Sequence, residues 1–464
     1  MSQLNADSCF IFTDTETTGL DINFSQIIQV GSVVTDESIN ELDKQDIGSK
    51  LLPWIVPSPE AYLVHKKIES LNSSSQSHLD MMSSLRQKWL NWSKGKNPVY
   101  ITYNGHRFDE ELFRRQFYWC LLPLYITNTS GAKRLDMLST LQIVANFFKD
   151  TLKVPFGEDN EVSMKLTDWS SQNGIEIENA HDALADCYQM TGLAKLVSEN
   201  ARPAWKASLK GSSKNGNLEI LQTEPFAMLG EVIRRRRFTY PVTFCGQNPK
   251  MQNEVAVADL YFDSDQLNDL SDSELLDQIS NSGSAIRKLR INKSIPIIPV
   301  LDVPNYKDHL DVPFEQLEER AIKIKENVKL QQRVSELLAS NQINYPPPKH
   351  LEQAVYSGFA SEADELWMER FHAVTWNEKV NMVDGFQDRR YKELAERLIC
   401  TNSPEDASQE SLVRFNDFVI QRLTDKGPWN NLEKTKEKVE KLLIEAEGEN
   451  RDILLNLKDY LKSI

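Results

Sequence analysis

The stretch Phe12–Leu20, FTDTETTGL, decides how this chain is read. It closes a short apolar run from Cys9 to Thr13, which predicts a β-strand ending at Asp14. In a strand, residues i and i+2 point to the same face. Asp14 and Glu16 therefore stand side by side. Two carboxylates so placed repel unless a cation lies between them, and hard oxygen ligands suit Mg²⁺ or Mn²⁺. The same residues also describe a polar strand end running into a Thr17-Thr18-Gly19 turn, so the pair alone leaves both readings open.

Two further segments extend the pattern. In NGHRFDEEL (Asn104–Leu112), Asp109 opens an amphipathic helix; aspartate is also a common N-cap. In NAHDALAD (Asn179–Asp186), His181 precedes a helix and Asp186 lies a little over one turn into it. Asp182 is a natural cap there, and His181 read alone is an ordinary loop residue. Around these segments the chain reads as α/β. Ile27 to Thr35 (IIQVGSVVT) and Tyr100 to Tyr103 predict strands. Asp109 to Tyr118, Leu135 to Phe148 and Asp182 to Ser198 predict helices, because apolar residues recur at three and four.

Taken in order, Asp-x-Glu, then Asp before a helix, then His-x4-Asp resembles the DEDD superfamily of 3′→5′ exonucleases in its histidine-bearing branch. That resemblance implies an RNase H-like fold with Asp14, Glu16, Asp109 and Asp186 as metal ligands. Four carboxylates can hold two divalent ions about 3.5–4 Å apart. The expected cofactor is two Mg²⁺ ions, with Mn²⁺ as a substitute. His181 is the expected general base, since histidine titrates near neutrality. No GxxxxGK[ST] or GxGxxG phosphate loop competes with this reading.

The chain runs more than 260 residues past these motifs, and the extension narrows the resemblance. YNGHRFDEELFRRQFY (Tyr103–Tyr118), KLTDWSSQNGIEIENAHDALADCYQMTGLAKLV (Lys165–Val197), INKSIPIIP (Ile291–Pro299) and YSGFASEAD (Tyr356–Asp364) are similar to the exodeoxyribonuclease I family, along essentially the whole chain. The implied architecture has three parts. Residues 1–200 form an α/β RNase H-like exonuclease domain, 201–350 an SH3-like β-barrel with helical insertions, and 351–464 an all-α domain. The implied activity is stepwise removal of 5′-mononucleotides from the 3′ end of single-stranded DNA. Two other readings remain: action on RNA or mismatched primer ends, and a silent nucleic-acid clamp on the same fold.

Composition and charge agree with several domains. The chain has 464 residues, 40% apolar and 26% charged, enough for two to four domains at about 100–200 residues each. Seams are expected at Ala201–Asn217, rich in Ser, Gly, Lys and Asn, and at Asn344–His350, with its three prolines. Phe226 to Leu229, Tyr240 to Phe244, Val255 to Tyr261 and Ile295 to Leu301 predict the middle strands. Helices dominate from Leu351, the last expected over Asn431 to Leu461. Five scattered cysteines without a CxxC pair argue against a zinc ribbon or a disulfide framework. No apolar run reaches the ~18 residues of a spanning helix, and the N-terminus lacks a signal-peptide pattern. A cytoplasmic monomer is the expectation. Of the net charge of −15, residues 1–200 carry −9, 201–350 carry +1 and 351–464 carry −7. That disfavours nonspecific duplex binding but not a basic single-strand channel.

Single-strand binders pair backbone cations with aromatic platforms. Arg114, on the helix Asp109 opens, is expected to reach a phosphate and Tyr125 to stack on a base. Thr17 and Thr18 are candidates for holding the terminal nucleotide. The resemblance adds Lys165, Asn179, Asn292 and Lys293 as DNA contacts. It also implies single-strand DNA-binding protein as a partner through its acidic tail, although Val312–Arg320 is short of basic residues. Lys66 and Lys67 depart from the small residues the family has there. Four arginines, Arg234–Arg237, are the densest positive patch. Trp54, Trp119 and Trp205 are expected in the core.

Overall fold

The computed structural model describes residues 8–72, 75–176, 182–223, 225–281, 283–340 and 346–464. His181 and Asn179 lie outside the described residues. The N-terminal sheet has the order β3-β2-β1-β4-β5, built from β1 (Ser8–Thr17), β2 (Ile27–Thr35), β3 (Glu41–Gly48), β4 (Asn97–Thr102) and β5 (Lys133–Asp136). β1 runs antiparallel to β2 and parallel to β4. Every residue of β2 is buried, because helices cover both faces of the sheet.

Alternation along β1 sorts those two faces. Phe10 and Phe12 belong to one core, with residues of α4 (Met137–Phe147), α6 (Ala183–Asn200) and α7 (Arg202–Lys210). Cys9 and Ile11 belong to the other, with α2 (His78–Ser93) and α3 (Asp109–Trp119). The remaining helices of this half are α1 (Pro59–His65), α5 (Leu166–Gln172) and α8 (Lys214–Thr223). β3 and β5 escape the sequence reading. β3 is a polar edge strand, ELDKQDIG, with mostly exposed side chains, and β5 has four residues.

The expected seam at Ala201–Asn217 is mostly helix, α7 and the start of α8. Trp205 explains why: it is buried, and its ring packs edge-on to Phe10 at 5.6 Å. Trp54 and Trp119 are buried as expected.

The middle region forms a second five-stranded sheet, order β10-β6-β7-β8-β9. Its strands are β6 (Ala227–Ile233), β7 (Arg236–Gln247), β8 (Glu254–Asp259), β9 (Ile286–Arg290) and β10 (Ile297–Pro299). The closure that an SH3-like barrel needs is not seen among the described residues, since β9 and β10 stand at opposite edges. β10 is only three residues long, bounded by Pro296 and ending in Pro299, and proline cannot extend a ladder by donation. Arg234 and Arg235 form the β6–β7 turn, both with positive φ (49° and 67°). From Leu351 the chain is helical. The single helix expected over Asn431 to Leu461 is two, Leu432–Glu445 and Gly448–Ser463, with Gly448 at positive φ. The hydrophobic cores cross the regional divisions: the N-terminal sheet shares one core with the middle sheet and another with the C-terminal helices.

Candidate active site

The site lies at the far end of β1. The strand continues past Asp14 to Thr17, so Asp14 and Glu16 share a face and look toward α6. Oxygens of Asp14, Glu16 and Asp186 all lie within 4.8 Å of one another. Asp186 reaches them because α6 begins directly over β2. Asp14 sits opposite Gly31 in the β1–β2 register, and a Cβ on Gly31 would fall 2.3 Å from the carbonyl carbon of Ala183. Only glycine lets the helix come so close. Asp182 caps α6, its Oδ1 accepting from the N–H groups of Leu184 and Ala185, both at 3.1 Å. The Asp186 N–H donates to the Asp182 carbonyl at 2.9 Å.

Asp109 approaches from the other side. Thr15, between the two β1 carboxylates and facing α3, donates its hydroxyl to Asp109 Oδ1 at 2.5 Å. Gly105 makes room: a Cβ there would lie 2.9 Å from Asp109 Oδ2. Neither Thr15 nor the two glycines was picked out in the sequence; the partners of Thr15 and Gly31 lie far along the chain.

Electrostatics mark the cluster. Burial, then the charges of Asp109, Asp186 and Glu16, hold the Asp14 carboxyl well above its ordinary value. Burial, then Asp186, pushes Glu16 up to about 8, while Lys67 pulls the other way. Asp109 is pushed up to about 6, chiefly by burial, against the Thr15 hydrogen bond. Crowded carboxylates in a partly dry site favour the protonated form until a cation offsets their repulsion. Hard oxygen donors at this spacing fit Mg²⁺ or Mn²⁺ and not a soft metal.

A cavity of about 480 Å³ opens beside Glu16, within the ~300–1,000 Å³ of ordinary ligand pockets. Thr17, Thr18 and the exposed Leu20 line it from the end of β1, and Arg422 and Trp429 from the C-terminal helices. The Thr17 hydroxyl donates to the Gly19 carbonyl at 2.9 Å, which fixes the turn.

The other expected contacts divide. Arg114 and Tyr125 come together, the guanidinium 5.7 Å from the ring centre. Arg114 also donates to the Tyr356 hydroxyl at 3.2 Å, and Phe359, 84% exposed, lies 6.0 Å from the Tyr125 ring. Lys165 is exposed at the start of α5. Asn292 and Lys293 instead dock the middle region onto the N-terminal one. Arg134 Nη2 donates to the Asn292 carbonyl at 3.0 Å, and Lys293 Nζ to the His106 carbonyl at 3.4 Å. The Ser294 N–H donates to His106 Nε2 at 2.9 Å. His106 Nδ1 faces Glu110 Oε1, 2.7 Å away. Despite burial, His106, Arg134 and Arg114 hold the Glu110 carboxyl down at about 2. The arginine run is partly structural. Arg235 pairs with Glu161 at 3.2 Å, and Arg237 donates to the Ala145 carbonyl at 3.2 Å.

The family model described as Exonuclease matches residues 11–193, and that described as Exonuclease I C-terminal domain matches residues 349–464. The exodeoxyribonuclease I of Haemophilus influenzae is 22% identical over 409 residues, covering 84% of this chain and 85% of that protein. The structure of Escherichia coli exonuclease I in complex with a dA16 oligonucleotide gives a TM-score of 0.85 at 20% identity, over 98% of this chain and 99% of that one. A structure of SSB/exonuclease I with the inhibitor CFAM gives 0.80 at 19% identity, over the same shares.

Proposed function

The chain belongs to the exonuclease I family and is a nuclease, and from that premise we propose that it removes 5′-mononucleotides from the 3′ end of single-stranded DNA. The observation that carries this reading is the convergence of Asp14, Glu16 and Asp186 at the end of β1. The E. coli relative solved with an oligonucleotide supports the substrate class. Asp14, Glu16, Asp186 and Asp109 would hold two divalent ions, Mg²⁺ with Mn²⁺ as a substitute. Such ions, when bound, lower the pKa of water and stabilise charge on the attacked and leaving oxygens.

The chain's own residues do the rest. Thr15 fixes the Asp109 carboxylate, and Asp182 fixes the turn that carries Asp186. Thr17 and the cavity beside Glu16 receive the terminal nucleotide. Arg114 and Tyr125 hold the strand behind it, one by charge and one by stacking. Lys165 and Asn179 are further DNA contacts in this reading, as the family resemblance implies, and Asn292 and Lys293 brace the middle region against the N-terminal one. His181 takes the proton of the attacking water. The middle sheet is, in this reading, an opened SH3-like unit, and the three regions 1–200, 201–350 and 351–464 fold around the strand. No helix among the described residues is long and apolar enough to cross a membrane, and we assign the chain to the cytoplasm. Single-strand DNA-binding protein is a second proposed partner, in keeping with the solved SSB/exonuclease I structure.

His181→Ala tests the proton-transfer role. It is expected to lower kcat by about 10²–10⁴-fold with the KM for DNA little changed. An unchanged kcat at neutral pH would remove His181 from the reaction. Product chromatography tests the polarity of cleavage: 5′-mononucleotides are expected, and 3′-mononucleotides would contradict the reading.

A further inference from the structure

Lys67 is not a solvated surface lysine. Its ammonium pairs with Asp182 Oδ2, and the side chains of both residues are about three-quarters covered, 24% and 22% exposed. Asp182 Oδ2 also accepts from Gln29 Nε2 at 3.1 Å. Gln29 is the residue paired with Glu16 across β1 and β2, and its Oε1 receives the Ala183 N–H at 3.4 Å. Asp182 therefore takes donors from three places: its own helix, β2 and the segment after α1. The Lys67 backbone N–H is itself anchored on His65 Nδ1 at 2.9 Å. The neighbouring Lys66 is different. It pairs with Glu449 where both side chains are open to solvent, 48% and 65% exposed, a setting in which an ion pair contributes little.

We propose that Lys67 is a positioning residue of the nuclease site: by clamping the Asp182 carboxylate it fixes the first turn of α6, and so the place of Asp186 relative to Asp14 and Glu16. The inference rests on the reading of those carboxylates as metal ligands. The clamp works through the backbone, since the Asp182 carbonyl receives the Asp186 N–H. β2 holds this turn from below through Gln29 and the close approach at Gly31. Lys67 brings a second donor to the same carboxylate oxygen, from a segment that no strand ladder constrains. Outer groups that orient metal ligands typically cost 10–100-fold in metal affinity when removed.

The test is direct Mn²⁺ binding to the DNA-free full chain, by titration calorimetry, for wild type, Lys67→Met, Lys67→Arg, Asp182→Asn and Lys66→Met. Lys67→Met is expected to weaken Mn²⁺ binding by about 10-fold or more and to lower kcat with little change in the KM for DNA. Lys67→Arg recovers most of the affinity, and Lys66→Met matches wild type. Asp182→Asn keeps a good capping side chain but loses the charge, and it falls with Lys67→Met. It carries the test if Lys67→Met does not fold. Wild-type Mn²⁺ affinity in Lys67→Met overturns the proposal and leaves the nuclease reading standing. So does a Lys67→Met variant whose only change is weaker DNA binding with a salt slope smaller by about one, since Lys67 would then be a phosphate contact. A wild-type chain that binds no Mn²⁺ overturns both.

Discussion

At the residue scale, the site is a contest between like charges and the protein that forces them together. Asp14 and Glu16 were legible in FTDTETTGL because a two-residue spacing on a strand has one geometric meaning. Thr15 was not, because the carboxylate it holds is 94 positions away. The contest has a measurable sign. Glu16 binds its proton at about 8 in the folded, metal-free chain, against an ordinary value of 4.5. Its neutral form therefore contributes stability that is complete below about pH 4 and is lost as pH rises through 8. Glu16→Gln removes that loss. The metal-free variant should become more thermostable than wild type as pH is raised from about 6 to 9, by scanning calorimetry in EDTA. A difference in Tm that does not vary with pH would mean that the Glu16 carboxylate is already ionised and accommodated at neutral pH.

At the element scale, the site depends on where α6 begins. The strand IIQVGSVVT was read from the sequence with the bounds it has in the fold, yet the role of Gly31 within it was hidden. A strand glycine signals a close approach without saying to what. Gly31→Ala places a methyl carbon against the Ala183–Leu184 backbone. We expect a destabilisation of about 1–3 kcal/mol by denaturant unfolding, and a larger loss of activity, because α6 can yield only by carrying Asp186 away. Full activity in a folded Gly31→Ala chain would show that the site tolerates the shift. The elements missed from sequence share a cause. β3, β5 and β9 are polar, short or basic edge strands, and the pairing that makes them strands is a tertiary fact. Ala201–Asn217 shows the reverse case. Its composition suggests a linker, but Trp205 ties it into the core.

At the scale of the whole molecule, the C-terminal helices are part of the site's wall, and this was least legible from sequence. Glu352, 3% exposed, receives Arg397 at 2.8 Å and Arg422 at 2.5 Å. Despite burial, those two charges keep its carboxyl low. Arg422 lies over the rings of Trp429 at 4.0 Å and of Phe24, from the N-terminal region, at 5.0 Å. Removing one partner of a buried ion network leaves the others uncompensated. Glu352→Gln is therefore expected to cost about 3–5 kcal/mol in denaturant unfolding and to loosen the cavity beside Glu16; a loss below about 1 kcal/mol, the range of surface ion pairs, would show that the arginines are solvated. The central claim is that the three converging carboxylates make this fold a 3′→5′ nuclease on single strands. The measurement that tests it most directly follows a 5′-labelled single-stranded oligodeoxynucleotide on a sequencing gel, with Mg²⁺ and with EDTA, for wild type and Asp186→Ala. The account predicts a ladder shortening from the 3′ end, present only with Mg²⁺ and lost in the variant. An oligonucleotide that stays intact with Mg²⁺ but shifts on a native gel would contradict it and leave a binding clamp.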